Sequence, residues 1–588
     1  MKLCTVFHTL VLSCVPFCGL LPQALAAVTP PPADLIIYNA KVLTVNSNFA
    51  VAQAIAVRGD QIVAVGKDRQ VQRYKGPETR MIDAHGQTVM PGLQDSHVYS
   101  YQASISESNA QPDLHSIAEA LAYIRTQAAQ SPSNAWIVVT GLYPTRIKEG
   151  RLPTKAELDA AAPKNPVYWN CERVAMVNSK ALEISKITKA THAPPPVEII
   201  LDSVTRNPTG LLRNGASLLL KFPNVHLPTA PQRRAALKHL YELYNEQGIT
   251  SIGERRAEPE AIELFRELSQ SGELTVRINC TRFIEPGATA DEALARLDAL
   301  TNAPSGKLAY GPTGTGDDWV RIGPLNLQMD GDLRMGTAYL RTPWGIGSTY
   351  HITEPAYRGE LDQDPDLLPV LFLKAAQQGW QITADCTGDA ALDQLLNCYV
   401  KLQFKTDIRQ RRFLISHASF QAEEDWATCK RLGLAADLQP AWLYRDGASL
   451  VKTLGEKRLK HFLAFKSWYD HGLMIGGGSA HETRLDSTSA MNPWNPWLGL
   501  WITLARQSDD GAEIMPEEKL TREQAIRFYT INNAYLNFDE TKKGSLEPGK
   551  FADLILIDKD ILKCPVDEVR NTKVKLTMVG GKIVWEAK

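Results

Sequence analysis

The stretch Val89-Met-Pro-Gly-Leu-Gln-Asp-Ser-His-Val-Tyr-Ser100 decides how this chain folds. An apolar start and a Pro-Gly turn lead into a segment with Asp95, His97 and Tyr99 at alternate positions. In a strand, successive side chains point to opposite faces, so these three share one face. Three polar groups side by side on an otherwise apolar strand belong at the rim of a pocket, where partners can satisfy them.

Working outward, short β-patterned runs precede the stretch at 35–38, 41–45, 54–57, 61–65 and 80–83, with Gly59-Asp60 as a hairpin turn. The C-terminal end has the same texture at 552–558, 574–579 and 582–585, around Gly580-Gly581. Two β-rich ends predict one small β-sandwich built from both termini. Between them, apolar strands at 136–139, 167–169, 249–252, 276–279, 322–329, 380–384, 413–416 and 474–476 alternate with helix-patterned segments. Repeated β-α units imply a parallel sheet, and roughly eight of them favour a (β/α)₈ barrel over a doubly wound sheet. The expected organisation is a composite β-sandwich from 27–88 plus 540–588. A barrel follows over 89–539, with an insertion at about 105–230.

The 588 residues are 44% hydrophobic and 22% charged with a net charge of -1, a soluble globular balance that excludes nucleic acid as the main partner and favours a small-molecule ligand. A homo-oligomer is compatible with this composition. Lys2, an apolar run to Leu21 and Ala24-Leu25-Ala26 read as a secretory signal over residues 1–26. The mature chain is therefore expected to be periplasmic or secreted, with no membrane-spanning segment; Cys14 offers a lipoprotein alternative. Six cysteines remain after cleavage, scattered and without a C-x-x-C pair; in an exported protein some could pair, and the plainer reading is mostly buried free thiols.

Ordered motifs extend the picture: Gly150-Arg-Leu-Pro-Thr154, Gly248-Ile-Thr-Ser-Ile-Gly253, Tyr529-Thr-Ile-Asn532 and, most specific, Lys543-Gly-Ser-Leu-Glu-Pro-Gly-Lys-Phe-Ala-Asp-Leu554. With the opening stretch they resemble the amidohydrolase superfamily, and within it the YtcJ-like amidohydrolase-3 branch, from about Asp34 to the C-terminus. The resemblance implies hydrolysis of non-peptide C–N bonds in a small molecule, with one or two divalent ions activating water. It places two metal-binding histidines on strand 1, a carboxylated lysine near the middle of the chain, histidines after strands 5 and 6, and an aspartate after strand 8.

Here the chain departs. His97 keeps the first histidine, but Tyr99 replaces the second. The lysine falls at Asn326 in Leu325-Asn-Leu-Gln-Met-Asp-Gly331, and the strand-5 histidine at Asp385 in Ala384-Asp-Cys-Thr-Gly-Asp389. His417 is retained, the strand-8 aspartate becomes Ala480 in Gly478-Ser-Ala-His-Glu482, and a further histidine becomes Val174. A standard two-metal centre is therefore disfavoured. Three arrangements stay open. His97, Asp385 and His417 hold at most one divalent metal such as zinc; or the pocket works without metal, with Asp385, His417, Tyr99 and Glu482 doing acid–base work of a hydrolase, lyase or isomerase; or the barrel is an inactive binding or regulatory protein. Gln328, Asn326, His481 and Trp494 are the expected substrate contacts, Trp494 lying in the aromatic cluster Met491-Asn-Pro-Trp-Asn-Pro-Trp497.

Overall fold

In a computed structural model the chain is described at residues 30–106, 111–222, 228–302, 311–347 and 349–588. The leader expected over 1–26 lies outside the described residues. The opening stretch becomes β1 (Leu93–Val98), which pairs in parallel with β2 (Ile249–Glu254). The sheet continues through β3 (Arg277–Phe283), β4 (Val320–Gln328), β5 (Ile382–Cys386), β6 (Leu414–His417), β7 (Ala435–Leu438) and β8 (Met474–Gly477) in chain order. Every residue of β1, β5, β6 and β7 is buried, as expected of parallel strands covered by helices.

The helices follow from the same chemistry. The helix Pro259–Gln270 opens with proline at its first turn, where no amide bond is lost, and buries Ala261, Ile262, Phe265 and Leu268 on one face. Gly272, at φ +71°, lets the chain turn back toward β3 just past its end.

The ring of strands closes just past β8. The Ala480 amide donates to the His97 carbonyl at 2.8 Å, and the Tyr99 amide to the His481 carbonyl at 2.8 Å. Gly478 makes this seam sterically feasible: a Cβ there would lie 1.9 Å from Asp95 Oδ1 and 2.7 Å from the His97 nitrogen. Asp95 cannot swing away, because it accepts from the Ser479 hydroxyl at 2.7 Å and the His97 amide at 3.0 Å. Gly478→Ala is expected to lose about 1–3 kcal/mol of stability from overpacking. An unchanged urea midpoint would show that the seam tolerates a methyl group.

Two sheets flank the barrel. Leu35–Tyr38, Ala54–Arg58, Gln61–Gly66 and Arg80–Asp83 form one of four strands. Lys41–Leu43, Val51–Ala52 and Thr88–Pro91 join Leu554–Ile557, Val574–Val579 and Lys582–Glu586 in the other. Ile37, Ile55 and Val57 of the first sheet share an apolar layer with Val89, Leu554, Leu576 and Met578 of the second. The expected hairpins form, with Gly580 at φ +55° and Gly581 at +73°. Arg277 on β3 ties the barrel to this layer through Asp553, at 2.7 Å.

The runs at 136–139 and 167–169 are strands but do not belong to the alternating barrel series. As Ile137–Thr140 and Val167–Cys171 they pair in parallel in a separate five-stranded sheet, with its own core around Trp169 and Leu158. β7 was not anticipated, because Asp437 interrupts its short apolar run. The six cysteines among the described residues are free, and all but Cys564 are buried.

Candidate active site

At the C-terminal ends of the barrel strands lies a cavity of about 500 Å³, where barrels of this kind place their chemistry. Each strand contributes by the alternation of its side chains. The register of β4 against β5 sets Gln328 beside Asp385, and that of β5 against β6 sets Cys386 beside His417.

His97 is fully buried and bonded from behind. Its Nδ1 lies 3.2 Å from Asp437 Oδ2, which leaves Nε2 turned to the Tyr99 hydroxyl at 3.4 Å. Asp437, also fully buried, accepts from the Ser96 hydroxyl at 2.5 Å and pairs with the Arg255 guanidinium. Burial, then the charge of Arg255, pushes the His97 pKa down to about 4, so the ring is neutral at ordinary pH. Burial opposes ionisation of Asp437, but Arg255 and the His97 hydrogen bond outweigh it and hold the carboxyl well below its usual range. Burial likewise raises the Tyr99 phenol, so Tyr99 stays protonated.

Asp385 and His417 form the second pair. Asp385 Oδ1 accepts from the Asn326 amide at 2.9 Å and stands 3.9 Å from His417 Nε2. His417 donates from Nδ1 to Gln439 Oε1 at 2.7 Å and stacks on Trp442 with ring centroids 4.4 Å apart. Its Nε2 is thereby held toward Asp385. Burial raises the Asp385 pKa, but the positive charges of His417 and His97 in their protonated forms, and of Arg256 and Arg255, prevail and lower it. Gln328 accepts from Arg256 Nη2 at 2.7 Å.

Glu482 closes the rim past β8, accepting from Gln102 at 3.2 Å. Burial, then the nearby charge of Glu172, raises its pKa to about 7. Four non-glycine residues of the cavity lining have left-handed backbones: Glu172 at φ +60°, Arg256 at +51°, His417 at +71° and Ala480 at +56°. Such conformations cost of order 1–3 kcal/mol each and concentrate at sites where side-chain aim matters.

His97, Tyr99, Gln328, Asp385, His417 and Glu482 all line this one cavity, as does Ala480. Asn326 does not; it lies beneath the floor as the donor that orients Asp385, not as a substrate contact. His481 and Trp494 are also displaced from the expected role. His481 is fully buried, its ring nitrogens taken by the Tyr244 hydroxyl and the Arg484 carbonyl at 2.7 Å each, and Trp494 packs edge-on against Tyr244. Past β8 the chain bends through Ala480, and the bonds of His481 to Tyr244 and Arg484 fix its ring in the wall while Ala480 and Glu482 line the cavity. Val174 is buried in the core of the insertion, whereas its neighbours Glu172 and Arg173 reach the cavity.

Sequence reasoning missed Arg255, Arg256, Asp437, Gln439 and Arg334. The paired arginines, separated by two residues from the apolar run 249–252, were a usable signal; Asp437 sat in a strand that was not recognised, and Gln439 directly follows it. Among the described residues, no group of three His, Cys, Asp or Glu side chains is placed to hold a metal ion. No helix among them is long and apolar enough to cross a membrane.

Comparison with known proteins agrees with the barrel. The amidohydrolase family model matches residues 80–585. The chain is 26% identical to an N-substituted formamide deformylase of Arthrobacter pascens, over 94% of this chain and 98% of that one. It is also 26% identical to YtcJ of Bacillus subtilis (strain 168), over 91% and 96% of the two chains. A solved metal-dependent hydrolase of Pyrococcus horikoshii shares the fold with a TM-score of 0.65 at 20% identity, over 91% of this chain and 99% of that one.

Proposed function

The chain belongs to the amidohydrolase family, and on that premise we propose that it is an exported enzyme that hydrolyses a non-peptide C–N bond of a small molecule by acid–base chemistry, without the two-metal centre. The observation that carries this reading is the gap of 3.9 Å between Asp385 Oδ1 and His417 Nε2. Two acceptors held at that separation, one by Asn326 and one by Gln439, suit a water that donates a hydrogen bond to each. That leaves a lone pair of its oxygen for a carbonyl carbon.

The donor set speaks against a family metal centre. Of the expected ligands only His97 and His417 keep their type, and the amide of Asn326 spends its N–H on Asp385. Arg255 and Arg256 already place positive charge beside Asp437 and Asp385. A divalent ion there would face two guanidinium groups.

In the proposed reaction, water attacks the carbonyl carbon while its proton passes to the Asp385–His417 pair. Protonated Tyr99 donates a hydrogen bond within the same cavity. Glu482, poised near neutrality, suits proton delivery to the leaving nitrogen as the C–N bond breaks. Similarity to the deformylase makes N-substituted formamides the first substrates to assay. The N-terminal segment supports export, and the expected cleavage after Ala26 is checked by sequencing the mature N-terminus.

Elemental analysis of the purified protein is expected to find well under two divalent ions per chain, with turnover unchanged after dialysis against a chelator. Two firmly bound ions, or activity lost to the chelator and restored by zinc, would overturn the metal-free reading.

A further inference from the structure

Four arginines line the cavity: Arg173, Arg255, Arg256 and Arg334. Three are engaged by carboxylates at hydrogen-bonding distance. Arg173 Nη1 donates to Asp362 at 2.8 Å, Arg255 pairs with Asp437, and Arg334 grips Asp332 through Nη2 at 2.6 Å and Nε at 2.9 Å. Arg256 differs. Among the described residues its side chain has one hydrogen bond, to the neutral amide of Gln328, and the carboxylate facing it, Asp385 Oδ2, stands off at 4.0 Å. Its Nε is buried with no hydrogen-bond partner, as are Nε and Nη1 of Arg255 and Nη1 of Arg334, so the missing close carboxylate is what sets Arg256 apart.

Arg256 is also held in place at some cost. It follows β2 with φ at +51°, a conformation that L-residues rarely adopt, and its guanidinium lies over the Phe283 ring at 4.1 Å. The ring supports the flat face, Gln328 holds Nη2, and among the described residues Nη1 makes no hydrogen bond. A side chain that is aimed, stacked and short of acceptors is a receptor waiting for one, since an arginine fork matches a carboxylate in geometry and charge.

We infer that Arg256 is the cavity's anion receptor and that the natural ligand presents a carboxylate to it. This inference deepens the proposed function by naming a feature of the substrate or product, and it rests on that reading only in taking the same cavity as the functional site. Asp385, 4.0 Å away, then sets where the carboxylate ends and the reacting carbon begins. It repels any anion that reaches past Arg256.

The test is equilibrium binding, which does not depend on turnover. The full mature protein is titrated by calorimetry with acetate and benzoate, and in parallel with acetamide and benzamide as neutral counterparts of the same shape. The acids are expected to bind about 10- to 100-fold more tightly than the amides, the range for a charge-assisted hydrogen-bonded pair. Arg256→Gln should abolish that preference, and Arg256→Lys should retain part of it. Equal affinity for acid and amide in the wild type overturns the proposal without any variant, as does no detectable binding of either acid. A preference that survives in folded Arg256→Gln overturns it too. If the acid preference holds while N-substituted formamides are not turned over, the anion receptor stands and the hydrolytic reading falls.

Discussion

Asp385→Asn is expected to lower kcat/KM by about 10²- to 10⁴-fold, the usual contribution of a positioned acid or base, with an almost unchanged unfolding midpoint. The substitution keeps the shape of the side chain and removes only its charge and proton-accepting power. Asn326 can still bond to the amide oxygen, so the floor of the cavity keeps its packing. His417 Nε2 would still face the site but with a partner unable to share a proton. The loss should fall mainly on kcat, because the base acts as water adds. Tyr99→Phe should cost less, because a phenol that stays protonated contributes a hydrogen bond rather than a transferred proton. Near-wild-type turnover in Asp385→Asn would remove this residue from the chemistry. Ligand binding with no turnover in the wild type would favour a binding or regulatory protein.

The second large effect concerns stability. Asp437→Asn should destabilise the protein by about 3–5 kcal/mol, because it leaves the Arg255 guanidinium buried without its counter-charge. Asp437 also accepts from Ser96 and His97, so the loss spreads to strand β1. Combining Asp437→Asn with Arg255→Met should recover most of the stability, since a buried pair replaced as a unit is often neutral. Denaturant unfolding of the single and double variants measures this. A loss under about 1 kcal/mol in Asp437→Asn would mean that solvent reaches Arg255 and shields it.

The two predictions separate two jobs that one ring of residues performs. Asp437 on β7 and Gln439 just past its end hold the histidines from behind, each by Nδ1, and so point both Nε2 atoms at the cavity. Asp385, Tyr99 and Glu482 stand in front, where a substrate can meet them. A residue of the first kind is tested by stability, one of the second by turnover.

Much of this was legible in the residues alone. The alternation of Asp95, His97 and Tyr99 required a strand, and β1 with the residue after it presents His97 and Tyr99 to the cavity, whereas Asp95, expected beside them, is buried in the seam against Ser479. Repeated apolar runs and helical faces determined the barrel, because period and burial are local properties of a chain. The motif positions also brought His97, Asp385 and His417 to one place. What the sequence could not determine was partnership. His97 and Asp437 are 340 positions apart, and no local pattern couples them. Nor could it determine which side of a bent segment faces in. His481 looked as available as Glu482, yet the seam that joins Tyr99 to His481 through the backbone turns the histidine into the wall. The difference in pairing between Arg255, buried against Asp437, and Arg256, left facing the cavity, arises the same way. Adjacent identical residues acquire opposite roles because only the closed barrel decides which carboxylate each guanidinium can reach.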